Sequence, residues 1–183
     1  MENLYHTNLI KKVINLSNAN NWEAAVTEWN IVDFEEDQYK HSSCICGKEN
    51  LRYLYTIKNI KTNNILYPIG SSCIKKFNRA DLNEKTSITE KLFKLYHAIE
   101  DSSYIEFNSN NFSRNVLEYL FKQGAFKPSK FNNFNGEIDY KFMVKMFNKR
   151  NPQSPKEMKK INAIIVNSIK PYLKDQLEKK INK

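Results

Sequence analysis

The sequence of 183 residues contains little glycine, cysteine or histidine, and each shortage excludes a class of protein. Its four glycines stand far apart, so they cannot form the glycine-rich loop that holds phosphates in nucleotide-binding enzymes. Three cysteines cannot all pair with one another, which argues against a disulfide framework and favours thiolate chemistry or metal ligation. No Ser-His-Asp or Cys-His nucleophile signature is visible around the three histidines.

The sequence also lacks a long apolar run. No segment approaches the ~20 residues of a membrane-spanning helix, and the first residues lack the basic, apolar and small order of a signal peptide. We therefore expect a cytoplasmic protein that does not insert into membranes. A hydrophobic content of 40% with 13% aromatic residues is typical of a folded chain and excludes a disordered one.

Positive charge is concentrated in the last third of the chain. Residues 127–183 contain 14 basic and 5 acidic residues, a balance of +9 that equals the net charge of the whole protein. Such a surface attracts polyanions through electrostatic steering and counterion release. The alternative is a lysine-rich helical surface that only solvates the protein, and the sequence leaves both interpretations open.

Hydrophobic periodicity predicts helices at both ends of a short β-rich region. The first part of the chain is predicted to contain helices at 3–17 and 22–27, strands at 29–34, 51–58 and 64–69, and a turn at 61–64. Asn21 is the predicted cap of the second helix, and the acidic run Glu35-Glu36-Asp37 is predicted to end the first strand. Pro68 places the third strand at an edge or a bulge.

The remainder of the chain is predicted to be mainly helical. Predicted helix starts are Ser87, Ser113, Asp139 and Ser154, with a short strand at 104–107 and a loop at 126–136. Ser154-Pro155-Lys156-Glu157 combines a capping box with proline at the first helical position, and Pro171 predicts a kink. We predict a zinc-clasped α+β domain over residues 1–150 and a C-terminal basic helix over 151–183, packed on the same domain.

All three cysteines fall in one stretch, where their spacing predicts a zinc site. Cys44 and Cys46 form a close pair, and Gly47 gives the backbone room to turn around an ion. Cys73 follows a predicted β-hairpin, at the start of a predicted helix. Because structural zinc takes four thiolate or imidazole ligands from short elements, this order predicts a zinc-bound hairpin plus helix.

The sequence leaves several candidates for the fourth zinc ligand. His41, three residues before Cys44, is the nearest candidate, and His97 is the alternative. A serine hydroxyl at Ser72 or a water is a further possibility. The competing interpretation needs no metal, because free cysteines often behave as small buried hydrophobic residues.

A set of residues around this stretch resembles a treble-clef zinc module of low-GC Gram-positive bacteria, their phages and mobile elements. The residues that carry the resemblance are Trp29, Cys44-Ile45-Cys46-Gly47, Tyr55, Ile57, Asn59, Ile69-Gly70-Ser71, Cys73, Ile74 and Phe77. The chain departs from the standard module in having one ligand in the helix instead of two. Its size, basic character and composition are also similar to type II anti-CRISPR proteins, which inhibit Cas9, and this likeness implies Cas9 with its guide RNA as a partner.

Two groups of residues are predicted to contact nucleic acid or a nucleoprotein. Lys75, Lys76 and Arg79 follow the predicted zinc helix and are placed to contact phosphates. The second group lies further along the chain, where the loop at 126–134 interleaves basic and aromatic residues, as single-strand binding surfaces do. The helix from Pro155 adds lysines that lie away from its apolar stripe and would give sequence-independent affinity. This group consists of Lys127, Lys130, Phe131, Lys156, Lys159 and Lys160. Alternatively, the phenylalanines between residues 126 and 134 only attach their loop to the core.

These observations favour a non-enzymatic, zinc-stabilised binding protein of a phage or mobile element. It is predicted to engage nucleic acid or a nucleoprotein, with inhibition of Cas9 as one specific form of that function. One alternative is a metal-dependent nuclease in which Glu35, Glu36 and Asp37 hold the catalytic metal. Another is a structural adaptor without nucleic-acid binding.

Overall fold

The computed structural model describes residues 2–101 and 105–182, and within them the protein is a mixed α+β structure, as the sequence predicted. Its helices are α1 (Glu2–Asn15), α2 (Trp22–Ala25), α3 (Ser71–Lys75), α4 (Ala80–Asp101), α5 (Arg114–Lys122), α6 (Gly136–Phe147), α7 (Pro155–Ile164) and α8 (Lys170–Leu177). Its strands are β1 (Trp29–Asp37), β2 (Tyr53–Asn59), β3 (Ile65–Ile69) and β4 (Ile181–Asn182). A π-helical turn, Ile165–Ile169, joins α7 to α8.

The chain divides into two compact units. The first comprises Met1–Ser87 with Lys179–Lys183, and the second comprises Ile88–Glu178. Helix α4 begins in the first unit and ends in the second. The segment 151–183, predicted as one C-terminal basic helix, is divided between them, since its last residues belong to the first unit.

The first unit is built on a sheet in the order β3-β2-β1-β4. Strand β2 is antiparallel to both β1 and β3, and the two-residue strand β4 pairs in parallel with Glu36 and Asp37 of β1. Strand β3 lies at an edge, as Pro68 indicated. The fully buried side chains of Trp29, Tyr55 and Ile57 form the centre of the hydrophobic core, because alternate residues of a strand point to the same face.

The turn after β2 is fixed by a buried amide. Asn59 donates a hydrogen bond to the buried carboxylate of Glu28 (2.9 Å), and its Oδ1 atom accepts from the backbone N–H groups of Lys61 and Thr62 (2.8 and 2.9 Å). Asn63 has a φ of 61°, so the predicted turn is confirmed. The hydrogen bond from Asn59 lowers the pKa of Glu28, together with two backbone N–H donors, against the opposing effect of burial.

The prediction that the acidic run ends the first strand is wrong, because β1 continues to Asp37. Each carboxylate of the run has a partner that makes this position favourable. Glu36 is fully buried and accepts from Arg52 Nε at 2.7 Å, while Glu35 accepts from the Tyr67 hydroxyl. The Asp37 carboxylate accepts from the backbone N–H and the hydroxyl of Ser42 (2.9 and 2.7 Å), and these bonds lower its pKa.

Two predicted helix starts are also wrong. Ser87 lies inside α4, and Asp139 lies inside α6, which begins at Gly136 with Asn135 as its cap. The capping serines Ser113 and Ser154 are confirmed, since each accepts a hydrogen bond from the first turn of its helix. Of the predicted strand 104–107, residue 104 lies outside the described residues, and residues 105–107 form no strand.

Candidate functional site

Cys44 and Cys46 lie in a tight turn within the segment that joins β1 to β2. The N–H of Cys44 donates to the carbonyl of Lys48 at 2.7 Å, and the N–H of Gly47 donates to the carbonyl of Cys44 at 2.8 Å. Gly47 has a φ of 97°, which L side chains rarely adopt, so glycine is required at this point. The N–H of Ile45 donates to the carbonyl of Pro68 at 2.9 Å, which attaches the turn to β3.

Cys73 follows the β2–β3 hairpin in the sequence and lies close to Cys44 and Cys46 in the structure. Strand β3 ends at Ile69, and Gly70 is the N-cap of α3, which carries Cys73. The N–H of Gly70 points to the Sγ atom of Cys44 at 3.5 Å. A Cβ atom at Gly70 would lie 3.0 Å from Cδ2 of Leu51, so a larger residue there would require the Leu51 side chain to shift.

The three sulfur atoms are placed as they would be around a single ion. The Sγ atom of Cys73 lies 3.6 Å from that of Cys44 and 3.4 Å from that of Cys46. All three cysteines are free and buried, and their sulfur atoms lie within 4.8 Å of one another. A tetrahedral site with Zn–S bonds of about 2.3 Å has S–S edges of about 3.8 Å, whereas a disulfide bond measures about 2.0 Å. The three cysteines can therefore hold a metal ion.

The hydrogen bond between Cys44 and Cys73 shifts the pKa values of these two thiols in opposite directions. The hydrogen bond between the Cys44 and Cys73 sulfur atoms lowers the pKa of the Cys44 thiol to about 5, with the N–H of Gly70 acting in the same direction and burial against it. The same hydrogen bond and burial raise the pKa of Cys73. A thiolate is the form that binds a metal, so a lowered pKa at Cys44 favours metal binding there.

Neither predicted fourth ligand joins the cysteines. Among the described residues, the cysteines form the only group of three or more His, Cys, Asp or Glu ligand atoms that lie within 4.8 Å of one another. His41 is exposed, and its ring stacks on Tyr39 with a centroid distance of 5.8 Å. His97 lies on α4 in the second unit, next to the ring of Tyr96. The carboxylates of Glu35, Glu36 and Asp37 form no such group either.

The basic residues after Cys73, which were predicted to contact phosphates, differ in exposure and in how far their side chains bond within the protein. Lys75 is exposed and Lys76 is half-buried. The guanidinium group of Arg79 donates to the carbonyl of Trp29 at 2.5 Å and to that of Val26 at 3.2 Å, and it pairs with Asp81 at 2.6 Å. Arg79 therefore connects the start of α4 to β1, and its hydrogen-bonding groups are used within the protein.

The second unit contains a groove that gathers most of the other predicted contacts. We call it the basic groove, a cavity of about 760 Å³. Its lining includes Lys127, Phe131, Lys156, Lys159 and Lys160, all of which were predicted from the sequence. Lys130, the remaining residue of that group, places its ammonium 5.1 Å from the centre of the Phe131 ring. Among the described residues, the lining contains four lysines and one acidic residue, Asp139, which pairs with Lys160 at 3.5 Å, so positive charge dominates.

One wall of the groove is the loop between α5 and α6, which is held by Asn132. The buried Asn132 amide donates to the carbonyl of Lys127 (2.9 Å) and to the Asp139 carboxylate (2.8 Å), and it accepts from the N–H of Ser129 (2.7 Å). Phe126 is buried, but Phe131 and Phe134 are 83% and 74% exposed. The interpretation that these phenylalanines only attach the loop to the core is therefore wrong for two of them.

The other wall is formed by α7 and the π-helical turn after it. The capping box at Ser154 and Glu157 fixes the start of α7, and Lys149 pairs with Glu157 at 2.7 Å. The turn places Asn167 and Ser168 in the groove lining, and neither was predicted. Pro171 was the available signal, because it lacks the N–H that would bond the carbonyl of Asn167 in a regular α-helix. The π-helical turn lies just before Pro171, where the sequence predicted a kink or break in the helix.

Comparison with known proteins does not indicate a function for either site. No protein-family model matches the chain, and no curated protein or solved structure shows significant similarity to it. Within the described residues, no helix is long and apolar enough to cross a membrane. The function must therefore be inferred from the cysteine cluster and the basic groove themselves.

Proposed function

We propose that the protein binds nucleic acid, free or within a nucleoprotein, through the basic groove, and that zinc bound to its cysteines stabilises the first unit. The observation that carries the proposal is the convergence of Lys127, Lys156, Lys159 and Lys160 on one cavity with a single opposing aspartate. Lysines grouped in this way neutralise phosphates and release counterions. We infer a binding protein without catalysis.

Zinc is the metal that fits the cysteine cluster best among common ions. Buried thiolates select soft or borderline ions, and oxygen-preferring magnesium and calcium are disfavoured there. Sulfur separations of 3.4 and 3.6 Å suit one ion, because a cluster of several irons would hold its cysteines further apart. With zinc bound, the hairpin β2–β3 and helix α3 would form the treble-clef-like module that the sequence predicted.

Metal analysis of protein purified without added zinc tests this part of the proposal. We expect one zinc per chain, and we expect Cys73→Ser to lose most of it. His41→Ala tests the predicted fourth ligand, and a zinc affinity reduced about tenfold or more would assign His41 to the site. An unchanged affinity in His41→Ala would leave a water or another group in the fourth position. Less than half an equivalent of every transition metal in the wild-type protein would contradict the zinc proposal.

Matched lysine variants test the nucleic-acid part. The groove variant replaces Lys127, Lys156, Lys159 and Lys160 with glutamine, and the control variant replaces Lys122, Lys141, Lys145 and Lys174, which lie in the same unit but do not line the groove. Both lose the same formal charge. We expect the groove variant to bind labelled DNA and RNA at least tenfold more weakly than the control variant, since it loses direct phosphate contacts.

The likeness to type II anti-CRISPR proteins gives one nucleoprotein to test. Guide-loaded Cas9 carries a guide RNA whose phosphates are the kind of ligand that a phosphate-binding groove would take. We expect co-purification with guide-loaded Cas9 to be weakened in the groove variant and kept in the control variant. If neither DNA, RNA nor a ribonucleoprotein binds at low salt, the proposal is wrong and the structural-adaptor interpretation gains support.

A further inference from the structure

The basic groove offers more than charge, because an aromatic ring stands exposed at its edge. Phe131 is 83% exposed and lines the groove beside the lysines. Leaving a phenylalanine in water forgoes the free energy that burial of its ring would contribute. A site that recognised only phosphate would have no use for such a ring.

The loop holds this ring in a defined place. Three hydrogen bonds of the buried Asn132 side chain fix the turn that carries Phe131, and Ser129 caps the same turn. Asn133 and Phe134, two and three residues further on, have φ values of 52° and 58°. A left-handed backbone is uncommon for a residue as bulky as phenylalanine, so the loop after Phe131 follows a specific path.

The wall of the basic groove that is formed by α7 and the turn after it is not a regular α-helix throughout. The π-helical turn Ile165–Ile169 places Asn167 and Ser168 in the lining. Single π-helical turns inside helices are frequent at functional sites. Asn and Ser side chains supply the amide and hydroxyl groups that hydrogen-bond the edges of bases.

We propose that the basic groove takes a single-stranded nucleic acid, with one base stacked on Phe131 and adjacent phosphates on the groove lysines. This inference rests on the proposed function and specifies its ligand. In a duplex the bases are stacked on one another and expose only their edges, so no base face can reach Phe131. A cavity of about 760 Å³ also has the size of sites that enclose small ligands, which suits individual nucleotides.

Three probes of equal length separate base stacking from phosphate binding. They are a labelled oligothymidylate of twelve nucleotides, an abasic strand with the same number of phosphates, and a duplex of twelve base pairs. The variants are Phe131→Ala, Phe131→Trp, and Phe134→Ala as the matched control, since Phe134 is exposed in the same loop but does not line the groove. Thermal unfolding of each variant verifies that the fold is kept.

We expect the wild-type protein to bind oligothymidylate at least tenfold more tightly than the abasic strand. Phe131→Ala should weaken oligothymidylate binding about tenfold, because stacking contributes about 1–3 kcal/mol per base. Phe131→Trp should retain it, Phe134→Ala should change it less than threefold, and duplex affinity should be the same in all variants.

Other results overturn the inference in distinguishable ways. Equal affinity for oligothymidylate and the abasic strand, or for oligothymidylate and the duplex, would show phosphate binding alone; the proposed function would stand and this inference would fail. Tighter binding to an acidic peptide of equal charge would identify a protein ligand and overturn both. No binding of any of these probes at low salt would also overturn both.

Discussion

Removal of zinc from the intact chain should accelerate the exchange of backbone amide hydrogens in the cysteine turn with solvent. The segment between β1 and β2 contains no regular helix or strand beyond an isolated bridge between Ser42 and Leu51. Its turn is held by the N–H groups of Cys44, Ile45 and Gly47, which donate to carbonyls at 2.7, 2.9 and 2.8 Å. These amides therefore report directly on whether the metal holds the turn.

The expected size of the effect follows from linkage. A ligand present at about 1,000 times its dissociation constant stabilises the state that binds it by about 4 kcal/mol. The three hydrogen bonds contribute only about 1 kcal/mol each, and ordering the backbone costs about 1–2 kcal/mol per residue. If the turn opens as the zinc leaves, chelation should accelerate exchange of the three amides by about 1,000-fold, because about 1.4 kcal/mol corresponds to a factor of ten.

Hydrogen–deuterium exchange by NMR, with and without a strong chelator, measures this acceleration. Amides of α6 in the second unit serve as the internal control and should change less than threefold. Protection of Cys44, Ile45 and Gly47 that persists after complete zinc removal would refute the reasoning. The cysteines would then act as buried apolar side chains that pack without a metal.

Three further predictions concern the second unit. Asn132→Ala should lower its free energy of unfolding by about 3 kcal/mol, measured by urea denaturation, because three hydrogen bonds of a buried amide are lost and one of them is to the Asp139 carboxylate. A change below 1 kcal/mol would show that the loop is not held by this amide. Gly136→Ala should lower the melting temperature markedly, because its Cβ atom would lie 1.9 Å from the carbonyl oxygen of Phe126; an unchanged melting temperature would contradict this close approach. The pKa of Glu157 is about 2, lowered from 4.5 chiefly by Lys149 and then by the N–H of Ser154. Because the folded-state pKa is the lower one, this stabilisation is complete above about pH 4.5 and is lost as the pH falls towards 2. In denaturation at several pH values, the free energy of unfolding of Glu157→Gln should fall less with acid than that of the wild-type protein. An identical pH dependence in the two proteins would argue against the interaction.

Features determined by neighbouring residues could be predicted from the sequence. Asn21, Ser113 and Ser154 cap helices through hydrogen bonds from residues three positions further on, so the local sequence contains the whole signal. The order of the cysteines around a hairpin predicted the cluster for the same reason, because the hairpin itself is short and its alternation is clear. The turn at residues 61–64 follows from asparagine chemistry within a few positions.

Features that depend on distant partners could not be predicted. The acidic run was expected to end β1, but Glu36 is paired with Arg52, a residue of another segment. Ser87 and Glu90 match a capping box, yet α4 already begins at Ala80, so the tertiary structure outweighs that local signal. Arg79 was predicted to contact phosphate, but carbonyls of residues about fifty positions earlier accept its hydrogen bonds.

The basic groove contains both features that could be predicted from the sequence and features that could not. Lys127, Phe131 and the lysines of α7 were predicted as contacts from the interleaving of basic and aromatic residues and from the lysines opposite the apolar stripe of the last helix, and all of them line one cavity. The Asn132–Asp139 hydrogen bond, which no periodicity indicates, attaches the loop that carries Lys127 and Phe131 to α6. Asn167 and Ser168 were missed because a helical pattern with one proline does not reveal which side chains a π-helical turn reorients.

The salt dependence of nucleic-acid binding tests the central claim most directly. Four lysine–phosphate contacts should give a slope of log K against log salt concentration of about −3 for a single strand, which corresponds to about a 50-fold loss between 50 and 200 mM salt. We predict this slope for the wild-type protein and for the variant of Lys122, Lys141, Lys145 and Lys174, and a slope near zero for the variant of the four groove lysines. A slope near zero in the wild-type protein, or a slope that the groove substitutions leave unchanged, would contradict the assignment of binding to the basic groove.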